Sequence, residues 1–170
     1  MKIENIVCSG SFNQPLDLRH LSSNCQYIEY GKNKYPGAYI KFNGRSITIY
    51  RTGKYIMPGM KSFDDVNQTF EKIKIILDPY LDVSRFSNPE IRNIVCSSDF
   101  KQELNLSNIY LELSSRDMDV IYEPEAFPGL ILKTQCCTFN IFSSGKFLIL
   151  GCTSQLQAED GESMLLDLLE

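Results

Sequence analysis

Apolar and polar positions alternate along several short stretches of this chain, and at two places the alternation gives way to a helical period. Over residues 46–50, Ile47 and Ile49 fall on one side while Thr48 and Tyr50 fall on the other. Over 138–142, Phe139 and Ile141 oppose Thr138, Asn140 and Phe142. Tyr55 and Met57 oppose Ile56 and Pro58, and Phe147 and Ile149 oppose Leu148 and Leu150. A period of two marks strands with two distinct faces. Strands are predicted at 3–12, 38–42, 46–51 and 55–60, and again at 91–100, 130–134, 137–142 and 147–151. Short helices are predicted near 17–25 and 105–113. Phe63, Val66, Phe70, Ile73 and Leu77 recur at helical spacing behind Ser62, with Asp65 placed as the acid of a capping box. Ser154 and Gln157 form the same pattern ahead of a last helix reaching Leu169, which Gly161 weakens by roughly 1 kcal/mol. Asn43-Gly44 reads as a tight turn, and residues 82–89 as a polar linker closed by proline.

The order of elements, strand, helix, three strands, helix, occurs twice, and so do the words. Ile3-Glu-Asn-Ile-Val-Cys-Ser-Gly-Ser-Phe12 returns as Ile91-Arg-Asn-Ile-Val-Cys-Ser-Ser-Asp-Phe100, identical at 7 of 10 positions. Tyr35-Pro-Gly and Tyr50-Arg-Thr-Gly-Lys54 return as Phe127-Pro-Gly and Phe142-Ser-Ser-Gly-Lys146. Collinear blocks mean one duplicated unit, with repeats expected at 1–88 and 89–170. The strand faces then make a functional argument. One face of each half packs on the helices. The other still gathers Val7, Tyr50, Ile56, Pro58, Val95, Phe142, Leu148 and Leu150, with Asn5, Thr48, Asn93 and Asn140 among them. An apolar sheet face with no helices left to cover it marks a binding surface.

These blocks, in this order and in both halves, resemble the TATA-box-binding protein family, and the resemblance runs from Ile3 into the last helix. It implies an α+β fold: a pseudo-two-fold saddle whose curved antiparallel sheet of about ten strands carries four helices on the convex side. It implies a general transcription initiation factor that binds and bends A·T-rich double-stranded promoter DNA through the minor groove and recruits transcription factor B, and through it the RNA polymerase machinery. The minor groove shows acceptors alone at A·T pairs, so apolar contact plus a few amide donors suffices there. By resemblance, Tyr35 with Tyr50 and Phe127 with Phe142 are wedges that enter base steps. Asn5 and Asn93 donate to base acceptors, and Val7, Ile56, Pro58, Val95, Leu148 and Leu150 line the groove face. Lys41, Lys54, Lys133 and Lys146 neutralise phosphates, and Glu123 and Glu125 meet transcription factor B. The chain departs from the family pattern in three ways: a Tyr-Tyr wedge replaces Phe-Phe, Pro58 and Leu150 stand where groove-facing threonines are usual, and basic residues at the hairpins are thinned. A diverged, archaeal-type paralogue with weaker or altered DNA binding is the expectation.

Charge modifies this picture. The chain of 170 residues carries a formal net charge of −4, low for a DNA binder. Patches matter more than the mean, however, and basic residues, Arg45 and Arg51 included, lie on or beside the strands while acids gather in the helices and at the C-terminus. The six cysteines follow no framework or CxxC spacing; Cys8 and Cys96 read as small core residues, and neither disulfides nor zinc is expected. No apolar run approaches a membrane span and no targeting pattern opens the chain, so a cytoplasmic (archaeal nucleoid) site of action is expected, or a nuclear one in a eukaryote. The lone His20 reads as a helix-surface residue, and no phosphate loop, carboxylate pair or metal spacing supports an enzyme or a cofactor. The competing reading is a saddle that has lost DNA and kept a protein partner.

Overall fold

The computed structural model describes residues 1–31 and 34–169. Its elements, in chain order, are β1 (Lys2–Ser11), α1 (Leu18–Asn24), β2 (Ile28–Glu29), β3 (Ala38–Phe42), β4 (Arg45–Ile49), β5 (Lys54–Met60) and α2 (Phe63–Leu77). After a 3-10 turn at Val83–Arg85 come β6 (Glu90–Asp99), α3 (Leu106–Ser115), β7 (Asp119–Ile121), β8 (Leu130–Lys133), β9 (Thr138–Ile141), β10 (Lys146–Cys152) and α4 (Gln155–Leu169). The class is α+β, an antiparallel sheet of ten strands with four helices among the described residues. The strands follow the hydrogen-bonded order β2-β3-β4-β5-β1-β6-β10-β9-β8-β7, which reads the same from either end with the repeats exchanged. Two strands, β2 and β7, escaped the pattern reading: at two and three residues they are too short to show an alternation.

The chain divides into two compact units, Ile6–Ile91 and Met1–Asn5 with Arg92–Glu170. In the first, Ile6, Cys8, Ile40, Ile47, Ile49, Tyr55 and Met57 are fully buried. Helix α2 closes over them, with Val66, Phe70, Ile73 and Leu77 buried and Phe70 stacked 5.9 Å from the Tyr55 ring. Ser62 caps α2 by accepting from the Asp65 amide at 3.0 Å. The reciprocal arm of the expected box goes elsewhere. Asp65 accepts from the Lys61 amide and binds the Arg45 guanidinium at 2.5 Å, so it ties the β3–β4 hairpin to the helix start. Arg45 is thereby engaged on the helix side, where it also donates to the Gly59 carbonyl.

The linker is strapped to this unit. Ser87 exchanges two hydrogen bonds with Ser11, Gln14 exchanges two with Asp82, and Phe86 packs 4.4 Å from the Phe12 ring. The Tyr55 hydroxyl reaches the Ser87 carbonyl at 2.9 Å. It can do so because residue 10 is glycine: a Cβ there would lie 2.3 Å from that hydroxyl.

The other unit repeats the plan. Ile94, Cys96, Leu130, Leu132, Phe139, Ile141 and Ile149 are fully buried. Helix α4 lies on this face, and at Gly161 it packs closely: a Cβ at that position would stand 2.9 Å from the Cys137 Sγ and 3.6 Å from Phe139. The glycine that weakens the helix in isolation is the residue that lets it seat. Asn105 and Asp17 cap α3 and α1 in the same way, each side chain accepting an amide three residues on. Cys8 and Cys96 are core residues as expected, both fully buried. His20 is exposed, its ring Nδ1 3.3 Å from the Asn24 amide nitrogen.

Candidate nucleic-acid interface

Pleating sends the alternate residues of every strand to the face opposite the helices, and there they form matched rows. In one unit Tyr39, Thr48, Ile56 and Ser9 stand side by side across β3, β4, β5 and β1. In the other, Ile131, Asn140, Leu148 and Ser97 do so across β8, β9, β10 and β6. Of the groove-lining residues expected from sequence, Val7, Ile56, Val95 and Leu148 are half-buried between two buried neighbours, while Leu150 is half-buried and Pro58 exposed, each between one buried residue and an exposed glycine. Lys41, Lys54, Lys133 and Lys146 are exposed on the same faces. Lys41 is already engaged, its ammonium 2.9 Å from Glu29.

The wedge pairs occupy equivalent positions. Tyr50 and Phe142 each begin a turn closed by a glycine amide bonding back to the aromatic carbonyl at 2.9 Å. Gly53 and Gly145, the glycines of the two Gly-Lys blocks, take φ of 91° and 88°. A Cβ there would come within 2.3 Å and 2.1 Å of the Gln14 and Gln102 carbonyl oxygens, so only glycine fits the motif. Tyr35 and Phe127 precede Pro-Gly, and a Cβ on Gly37 or Gly129 would meet these same rings at 2.8 Å and 2.7 Å. The Pro-Gly glycine is thus a seat for the first aromatic of each pair. Phe127 and Phe142 are 5.9 Å apart at 64°. Tyr35 and Tyr50 have centroids 6.3 Å apart, but their hydroxyls are 2.6 Å apart. That bond, then desolvation, raises the Tyr50 pKa and keeps the phenol neutral. Tyr39, not singled out from sequence, stacks on Tyr35 at 5.6 Å and 14°.

The two asparagines differ. Strand β10 bulges against β6 at Gly151, whose amide points out of the ladder and donates to the Asn93 Oδ1 at 2.9 Å. With its oxygen engaged, Asn93 is left with its Nδ2 donors, the group an acceptor-only groove floor calls for. The Asn5 Oδ1 is buried and unpartnered. The face also carries two acids: Asp99, which alternation places in phase with Val95 and Ser97, and Glu4, which alternation would have put with the buried Ile6 and Cys8. A depression of about 470 Å³ is lined by Glu4, Ser97, Asp99, Phe142, Lys146 and Leu148, and Ser97 donates to Glu4 at 2.7 Å. Glu123, Pro124 and Glu125 are exposed and form the turn before the second wedge, the amides of Ala126 and Phe127 both bonding to the Glu123 carbonyl at 2.9 Å. Among the described residues no cluster of three or more His, Cys, Asp or Glu could hold a metal, and no helix is long and apolar enough to cross a membrane.

Such a molecule presents a duplicated open sheet surface, rather than a pocket, as its working part. The chain belongs to the TATA-binding protein family: residues 1–80 and 88–170 each match the family described as transcription factor TFIID (or TATA-binding protein, TBP). It is 34% identical over 176 residues to the TATA-box-binding protein of Methanothrix thermoacetophila, covering 100% of this chain and 95% of that protein. It is 35% identical to TATA-box-binding protein B of Halobacterium salinarum, covering 98% and 91%. Among solved structures it is similar to Methanococcus jannaschii TBP, with a TM-score of 0.83 and 29% identity over 98% of this chain and 95% of that one.

Proposed function

We propose that this chain is a general transcription initiation factor that binds A·T-rich promoter DNA in the minor groove, bends it, and recruits transcription factor B. It acts by binding, without a cofactor, on the chromosomal DNA of the cell. The observation that carries the reading is the duplicated open face. Two aromatic pairs stand on glycine seats beside the half-buried aliphatic residues Val7, Ile56, Val95, Leu148 and Leu150, with the Asn93 oxygen engaged and its amide donors left over. Aliphatic rows suit the floor of a groove opened by bending, the aromatics enter and unstack a base step at each end, and the exposed lysines meet phosphates. Each repeat, 1–88 and 89–170, contributes one wedge pair. Asn5 joins Asn93 in donating to bases, its unpartnered oxygen reorienting as the amide meets the groove. Glu123 and Glu125, beside the second wedge, are the contact for transcription factor B.

The test is end-to-end energy transfer on a labelled A·T-rich duplex. The wild-type chain shortens the end-to-end distance, and Phe127→Ala with Phe142→Ala removes the kink made by that pair, reducing the bend, and weakens binding by a few kcal/mol, the scale of one unstacked step. Unchanged bending in the double variant overturns the wedge assignment. No binding by the wild type at low salt leaves an interaction protein that has kept a partner and lost DNA.

A further inference from the structure

The two wedges are chemically unlike, and the difference bears on which sequences each tolerates. The Phe127–Phe142 edge is apolar. The Tyr35 and Tyr50 rings converge on their hydroxyls, 2.6 Å apart against 6.3 Å between centroids, so this wedge has a polar apex. The apex is held in place: Tyr35 is clamped between Tyr39, at 5.6 Å, and Gly37. Two hydroxyls sharing one hydrogen bond keep one O–H free to donate and have lone pairs free to accept. In the minor groove an A·T pair offers acceptors alone, whereas a G·C pair adds the guanine 2-amino donor. An apolar edge leaves that amino group buried and unpaired, which costs about 1–3 kcal/mol. The tyrosine apex can donate to the first kind of pair and accept from the second. The hydroxyl that costs desolvation in a base step therefore returns a hydrogen bond whichever pair flanks it.

Resting on the minor-groove reading above, we propose that the Tyr35–Tyr50 pair relaxes the A·T requirement at its end of the site, while Phe127–Phe142 enforces it at the other, so that this chain reads a one-sided A·T element. The consequence is orientation. On a self-complementary A·T block the chain binds either way round. A single terminal G·C pair is accommodated by placing the tyrosine end over it.

Three duplexes test this by fluorescence anisotropy at fixed low salt: the uninterrupted self-complementary block, the block with a G·C pair at one terminal step, and the block with G·C at both. For the wild-type chain the first replacement should weaken binding less than about threefold. The second should weaken it about 5- to 150-fold, the equivalent of about 1–3 kcal/mol for one mismatched pair. Tyr35→Phe with Tyr50→Phe removes only two oxygens; in that variant the first replacement should already carry the full loss. Phe127→Tyr with Phe142→Tyr should tolerate both. A full loss at the first replacement in the wild type, or tolerance that survives in the Tyr→Phe double variant, overturns the proposal and leaves DNA binding standing. No binding to the uninterrupted block overturns the minor-groove reading itself, and this inference with it.

Discussion

Cys136 stands apart from the other thiols. The Thr134 hydroxyl 3.4 Å away, and then the Cys137 thiol at 3.6 Å, hold its pKa below the ordinary thiol range. Burial pushes Cys137 up to about 12 and raises Cys8, Cys96 and Cys152 as well. A thiolate, not a thiol, attacks alkylating reagents. Cys136 should therefore be the first residue labelled by iodoacetamide under native conditions, with a rate that rises at a pH below that of a free thiol; mass-spectrometric mapping of timed samples checks this. Sequence showed a vicinal pair but not which member is activated, because the difference lies in Thr134 and in the depth of the β8–β9 turn. Asn93 teaches the same lesson. Alternation put it on the open face, yet only the Gly151 bulge shows that its oxygen is occupied and its amide free. Asn93→Asp keeps an acceptor for Gly151 but aims a carboxylate oxygen at groove acceptors. It should leave the thermal midpoint within a few degrees and cost DNA affinity about 1–3 kcal/mol or more, the worth of a good base contact; unaltered affinity would remove Asn93 from the interface.

At the scale of elements, the repeat carries one compensation that the aligned words contain but do not explain. Gly10 with Tyr55 in the first unit corresponds to Ser98 with Phe147 in the second. Each pair carries one hydroxyl across matched positions of β1 and β5, or of β6 and β10: on the core aromatic in one case and on the strand residue opposite it in the other. Adding a side chain at Gly10 alone forces the Tyr55 hydroxyl off the Ser87 carbonyl, since the two would be 2.3 Å apart. Gly10→Ser should cost about 1–3 kcal/mol in chemical denaturation, the usual range for overpacking. Tyr55→Phe alone should cost about 1 kcal/mol for the lost bond to Ser87. The double variant should be more stable than Gly10→Ser alone, with the two changes markedly non-additive; additive losses would show that the two sites do not share this space. The major strands and both long helices were legible because their periods run for several residues. β2 and β7 were not, and neither was the diversion of Asp65 to Arg45, which depends on a hairpin brought to the helix start by tertiary structure.

For the whole molecule the deciding quantity is charge. Lys41, Lys54, Lys133 and Lys146 are exposed on the two sheet faces, but Lys41 must first leave Glu29, and Glu4 and Asp99 lie beside Lys146. Each neutralised phosphate contributes about −0.9 to the slope of log K against log salt, so binary DNA binding should show a slope no steeper than about −4. A chain with a net charge of −4 and so few lysines to meet phosphates should hold DNA weakly on its own. Pro58 and Leu150 add no donor to compensate, one lacking an amide hydrogen and both lacking a side-chain hydroxyl. Transcription factor B, seated at Glu123 and Glu125 and carrying its own phosphate contacts, would make up the deficit, and by linkage each ligand would then tighten the other. Three measurements follow from this. The ternary complex should bind more tightly than the binary one and with a steeper salt slope. Glu123→Lys with Glu125→Lys should leave binary binding near the wild-type value or slightly raise it, since both acids are exposed and away from the sheet rows. The same variant should lose the gain from the partner. Tight binary binding with a slope well beyond about −4, or a partner gain untouched by the charge reversal, would show that the open face holds DNA on its own and that the turn at Glu123 serves another purpose.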